Sequence, residues 1–459
     1  MGRLNVSVRI YTVLTMLTSI FLSGCSTFTK DGGFTDVSSL VQKRSHQQPI
    51  WLRSDAQRAA QQQIVNSTLE HTLSADNAVY VAFINNPALQ KSLADLGIAE
   101  ADLLQAGRIR NPSISYVKLN SVSDEYNIER TVLFDVMSLL TMPMRSAIEK
   151  QRFQQAKLQA AMDILEIAAK TRKAYYSAVA AEQTVRYLEK IKETSRAASQ
   201  LALRMAEVGN WNRLQQAREQ VFYAEVMSQL ADAKLLASQE REHLTRLMGL
   251  WGEQIHYKLP ERLPELPLSV TEPLQLEKQA LISRLDVQAL RYEIESKCKA
   301  LGLTKATRFI DVFDLGYVRN SSHDKPHQTG YEISLEIPLF DWGDAKVARA
   351  QNIYMQAVWQ LREIAINARS EVREAYEAYR IQYDKAKFYR DEVISLRKLI
   401  LDESLLRYNG MLISTFELLA DEREQIMSVN VYIETLRDFW IAETDLQTAL
   451  MVKSPRSIN

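Results

Sequence analysis

Two stretches of helical periodicity are too long for one ordinary globule to house. The first runs from about Ser146, with Leu158, Met162, Leu165, Ala169, Tyr176 and Val179 at helical spacing. The second begins after Gly343 with Ile353, Ala357, Leu361, Ile364, Ala368, Val372, Ala375 and Tyr379, and continues toward Ile400. At 1.5 Å per residue, about sixty residues make a rod of roughly 90 Å. "EVGNWN" at Gly209 and "RYNGML" at Gly410 interrupt the rods, and a shorter helix returns from each. In the first return helix Leu214, Ala217, Val221, Ala224, Ser228, Ala231 and Leu235 step by threes and fours. This is a heptad seam whose small residues permit close approach. The second carries Ile426, Val429, Ile433, Leu436 and Trp440. Stripes this long are buried against other long helices, so the sequence predicts helical hairpins rather than a compact domain.

Two strands precede each rod. "SISYVKL" and "NIERTVLFDV" come before the first, "FIDVFDLGYV" and "GYEISLEIPL" before the second. Ile128, Val132, Phe134 and Val136 alternate with Glu129, Thr131 and Asp135. Tyr331, Ile333, Leu335 and Ile337 alternate with Glu332, Ser334 and Glu336. Two strands are marginal alone, and four are too few to close a barrel. Such strands suit either a half-buried edge sheet on a soluble domain or a transmembrane barrel, apolar outside and polar inside. A bilayer admits only a closed sheet, so the second option requires several chains to pool strands; three chains would give twelve.

The whole plan is duplicated. An offset of 201 carries Gly209 onto Gly410, Tyr175 onto Tyr376 and Ala147 onto Ala348, and an offset of 198 carries "NPSISY" onto "FIDVFD". Before the first strands a helix starts near Ser74 and bears Leu89, Leu93, Leu96 and Leu103. Its counterpart bears Leu276, Ala280, Val287, Leu290, Ile294 and Leu301. "LPERLPELP", with Pro260, Pro264 and Pro267, links the halves. The predicted divisions are a leader (1–24), an N-terminal segment (25–73), a first repeat (74–250), a linker (251–274), a second repeat (275–451) and a tail (452–459). The fold class is mainly α with a small β part.

The leader has Arg3 and Arg9, then an apolar run from Ile10 to Leu22, then "LSGC" ending at Cys25. This order fits a signal peptide and resembles the bacterial lipobox, which implies cleavage before Cys25 and a covalent lipid on it. Ser26 in the next position fits outer-membrane sorting. Lys+Arg and Asp+Glu both number 56, so no basic footprint for nucleic acid exists. Cys25 and Cys298 are the only cysteines, too few for a disulfide framework; Cys298 reads as a small buried apolar residue. No nucleophile elbow, P-loop, HExxH or dinucleotide fingerprint points to an enzyme.

"INNPALQ", "RLDVQAL", "IPLFDWG" and "RYNGMLISTFELLADEREQ", in this order and duplicated, make the chain resemble a TolC-type outer-membrane efflux channel of the lipoprotein branch over about residues 70 to 451. The first repeat departs from the pattern, with "SLLTMPM" in place of "PLFDWG". The resemblance implies a homotrimer: a twelve-stranded barrel in outer-membrane lipid above an α-helical tunnel. It also implies a periplasmic adaptor and an inner-membrane pump as partners, no cofactor and no catalysis. Pro338, Asp341 and Gly343 would form the strand-to-helix turn. Glu129, Asp135, Asp314, Glu332 and Glu336 would face the lumen. Glu417 and Asp421 read either as periplasmic-aperture acids or as a solvated helix face. Arg204, Gly209, Arg407 and Gly410, at the hairpin tips, read as adaptor-docking residues and as turn chemistry together, with both glycines in the left-handed conformation. His323 and His327 are a weak metal pair. Met137, Met142 and Met144 suit packing more than Cu(I). The competing function is a periplasmic coiled-coil adaptor or scaffold lipoprotein, which would show one hairpin rather than this doubled plan.

Overall fold

The computed structural model describes residues 28–120, 126–270, 275–322 and 326–453; the leader, Cys25 and His323 lie outside them. The chain divides into two compact units. One comprises Met1–Asp36, Ala94–Gln159 and Val287–Glu363, and the other Val37–Leu93, Ala160–Asp286 and Ile364–Asn459. Each unit draws on both repeats.

Two helices precede the first repeat: α1 (Phe34–Ser45) and α2 (Asp55–Glu70). The same order of elements then occurs twice. The first repeat has α3 (Ala75–Asn85), α4 (Pro87–Ala106), β1 (Ser113–Asn120), β2 (Tyr126–Asp135), α5 (Val136–Glu207) and α6 (Arg213–Met248). The second has α7 (Leu276–Ser283), α8 (Leu285–Ala306), β3 (Phe313–Ser322), β4 (Gln328–Leu335), then α9 (Asp344–Phe388) running through a π-helical turn at Tyr389–Val393 into α10 (Ile394–Asn409), and α11 (Thr415–Met451).

Where the sequence predicts one helix at the start of each repeat, the structure has two. The first break is at Asn86, whose backbone Pro87 biases out of the helical region. Asn86 is buried; its amide donates to the Leu247 carbonyl (2.8 Å) and its Oδ1 accepts from the Ala88 N–H (2.8 Å). An offset of 198 carries this break onto Arg284, between α7 and α8. The Arg284 guanidinium is 2% exposed and donates to Asp286 (2.6 Å) and Glu371 (2.8 Å).

The helical unit has an apolar core that includes Leu73, Ile84, Val179, Leu244, Met248, Leu436 and Phe439. Tyr379 stacks on Phe439 at 5.5 Å and Tyr176 on Trp440 at 5.4 Å. The proline linker lies along this core, with Leu263 and Leu266 buried. Trp440 Nε1 donates to the Pro264 carbonyl (3.1 Å) and the Tyr383 hydroxyl to that of Pro267 (3.1 Å). The predicted stripes of α5 and α9 are buried from Leu158 to Val179 and from Ala368 to Tyr379. The predicted seam of α6 is not. Leu214, Val221 and Leu235 are exposed, and Val226 and Leu230, on the other side, are buried instead. Among the described residues, no helix covers this seam.

In the strand unit, the four strands form one antiparallel sheet in the order β1-β2-β3-β4. β3 begins four residues later than predicted, and β4 ends at Leu335. Glu336 and Ile337 therefore lie beyond the strand, a correction to their predicted faces. Val136, read as a strand residue, opens α5, and the helix begins ten residues before the predicted Ser146. Asp135 causes the switch: its Oδ1 accepts from the Ser138 N–H at 2.6 Å, a helix cap. Pro143 lies within this helix, and Arg145 donates to the nearby Ser138 carbonyl at 2.7 Å.

Candidate functional site

The register fixes which side chains share a face of the sheet. Ile114, Val132, Tyr317 and Tyr331 form one cross-strand row, and Phe134, Leu315 and Ile333 the next. This face is bare: Tyr331 is 89% exposed, Ile114 77% and Ile333 69%. The opposite face carries Glu129, Asp135, Asp314 and Glu332, with Asp135 directly across from Asp314. Four of the five predicted lumen acids thus share one face, and Glu336 follows the strand. β1 and β4 are both edges. Two open edges and a greasy exposed face are unstable in water as they stand, and invite pairing with further strands.

In the second repeat, Asp341 and Gly343 form the turn that leads into α9. Asp341 Oδ1 accepts from the Gly343 N–H at 2.8 Å, and Gly343 holds φ +72° before α9 starts at Asp344. A Cβ on Gly343 would meet the Arg308 carbonyl oxygen at 2.5 Å, so two constraints demand glycine. Leu339, Phe340 and Trp342 are exposed around this turn, and the Trp342 ring meets Phe309 edge to face at 6.5 Å.

At the hairpin tips the two glycines differ. Gly209 has φ +80° and nothing near its absent Cβ. Gly410 has φ −79°; the left-handed residue is Met411 (φ +59°), which corrects the predicted symmetry of the two turns. The Leu412 N–H reaches the Arg407 carbonyl at 2.8 Å and closes the helix end one residue later than expected. Arg204 and Arg407 sit in last turns, where a cation complements the helix dipole. Glu417 has a structural role, because it completes a capping box with Ser414 by accepting from the Ser414 N–H at 2.9 Å. Asp421 accepts from the Ser404 hydroxyl at 2.5 Å. Sequence reading misses their neighbour Arg423, which donates to the fully buried Glu219 of α6 at 2.5 Å. Burial, and then the Glu219 charge, raise the pKa of Glu422.

Met142 lies about 140° round α5 from Met137 at 3.6 residues per turn, so the three methionines do not converge. Cys298 is exposed, which corrects the expectation of burial: Ser296 occupies the buried side of α8 there. Among the described residues, no group of three or more His, Cys, Asp or Glu could hold a metal ion, and no helix is long and apolar enough to cross a membrane.

No family model matches the chain, and no curated protein sequence matches it. Solved structures do. The outer membrane protein VceC of Vibrio cholerae superposes with TM-score 0.68 at 15% identity, covering 82% of this chain and 95% of its own. The outer membrane channel MtrE of Neisseria gonorrhoeae, in an open state, gives 0.68 at 16%, covering 82% and 88%. CusC, studied for folding and transmembrane channel formation, gives 0.69 at 17%, covering 82% and 92%. The chain has the fold of the TolC-type outer-membrane channels.

Proposed function

We propose that this chain is the outer-membrane channel of a tripartite export system, a passive duct that works as a homotrimer. The observation that carries this reading is the four-stranded sheet, open at β1 and β4, with an exposed apolar face and an acid-bearing polar face. Twelve strands from three chains would close both edges and turn the apolar face to lipid. The exposed heptad seam of α6 supports the same association, because a neighbouring protomer would bury it. In this reading Glu129, Asp135, Asp314 and Glu332 line the lumen and Glu417 and Asp421 the periplasmic aperture. The tips around Arg204, Gly209, Arg407 and Gly410 dock a periplasmic adaptor that connects to an inner-membrane pump. A lipid on Cys25 adds an anchor in the outer membrane. The adaptor-like alternative gains no support from a doubled strand-and-hairpin plan.

Fractionation tests the proposal. The protein should partition with the outer membrane and migrate on a gel as an oligomer that heating converts to monomer. A soluble periplasmic monomer would refute it.

A further inference from the structure

The two faces of the sheet are segregated by charge sign as well as by polarity. Among the described strand residues, the face bearing Glu129, Asp135, Asp314 and Glu332 holds no Lys or Arg. The apolar face holds no Asp or Glu, yet it carries Lys118, Arg130 and Arg319. These bases lie together, on the loop side of the apolar rows. Tyr116, Arg130, Arg319 and Thr329 form one row and Lys118, Ile128 and Ser321 the next. Arg130 and Arg319 are exposed and directly opposite each other. Opposed strand residues sit about 4.5–5.5 Å apart, and like charges so placed repel. Beneath them is an aromatic row, where the rings of Tyr317 and Tyr331 meet edge to face at 6.4 Å; the Arg130 guanidinium lies 5.9 Å from the Tyr116 ring.

Among the described residues, no carboxylate of this face accompanies the two guanidiniums above the aromatic row and the apolar band, so an anion arriving from the lipid side would relieve their repulsion. Guanidinium forks match phosphate oxygens by paired, charge-assisted hydrogen bonds. Tyrosines mark the depth at which a bilayer passes from hydrocarbon to headgroup. We propose that Arg130, Arg319 and Lys118 form a binding site for the phosphate groups of a phosphorylated outer-leaflet glycolipid. One protomer supplies the whole site, so a trimer carries three around its rim. The inference rests on the outer-membrane reading above, because it requires this face to meet lipid.

The test uses the full-length protein extracted as its native oligomer, with three probes: bisphosphorylated lipid A, its dephosphorylated form and inorganic phosphate. Retention is read by native mass spectrometry, and stabilisation by the temperature at which the oligomer dissociates. Wild type should prefer lipid A to the dephosphorylated form by about tenfold or more, as expected for lost charge-assisted contacts. Arg130→Gln/Arg319→Gln should lose that preference, and Arg130→Lys/Arg319→Lys should keep part of it. If the glutamine pair fails to assemble, Arg319→Gln alone should reduce the preference. Equal retention of the two lipids by wild type, or an unchanged preference in the glutamine variants, would overturn the site. So would equal stabilisation by inorganic phosphate, which would make the anion a free one. Absence of the oligomer from the outer membrane would instead overturn the proposed function.

Discussion

At the scale of single residues, Gly343 and Glu443 give the clearest energetic consequences. Gly343→Ala adds a Cβ where φ is +72° and the Arg308 carbonyl oxygen would be 2.5 Å away. Gly209→Ala meets only the left-handed backbone penalty of about 1–2 kcal/mol, because nothing lies near its Cβ. The first should therefore lower the melting temperature of the solubilised protein more than the second; equal losses would remove the steric argument. Glu443 is half-buried in the helical unit, where burial raises its pKa and the Arg172 charge offsets part of that. The folded chain then holds this proton more tightly than the unfolded one. The contribution is fully present below the ordinary carboxylate pKa and is lost as pH rises through the raised value. Glu443→Gln should melt higher than wild type at pH 7 and converge with it near pH 4; a lower melting point at pH 7 would contradict the burial argument. The sequence shows that Gly343 is special, because "IPLFDWG" stops a strand and starts a helix. It gives no sign of Arg284, whose partner Glu371 is 87 positions away. Nor does it show that Met411 takes the conformation expected of Gly410.

At the scale of elements, the faces of β4 are the most readily tested. Arg at Leu335 or Ile333 places a charge on the apolar face, at about 2–4 kcal/mol per copy if it meets the bilayer midplane. Either should abolish the oligomer on gels, whereas Ser334→Arg, on the acid-bearing face, should assemble. The opposite pattern would mean that the sheet is inside out. These faces are legible in the sequence because a period of two survives in a short run. The long helices are equally legible from Leu158 to Val179 and from Ala368 to Tyr379. Their boundaries are less so: alternation continues through Val136, and only the Asp135 cap shows that the helix has begun. α1 and α2 escape sequence reading because each buries just two residues, Val37 and Val41, then Val65 and Leu69, too few to mark a stripe. The α6 seam is legible as a seam, but a single sequence does not say whether its partner is in the same chain.

At the scale of the whole molecule, the acids of the polar face and those near the second tip would be multiplied by assembly. Walls of low dielectric focus such a field, so the oligomer in a planar bilayer should prefer cations. Raising the salt should weaken the preference, since the Debye length falls to about 3 Å at 1 M. Reversal potentials across a KCl gradient measure this, and anion preference would contradict the assignment of Glu129, Asp135, Asp314 and Glu332 to the lumen.

If three chains pool their strands into one barrel, single-particle cryo-electron microscopy of the native particle extracted from outer membranes will show it. The expected result is a three-fold particle in which β1 of each protomer pairs with β4 of the next to close twelve strands. A monomer, any other stoichiometry, or a trimer whose sheet edges remain unpaired would contradict it.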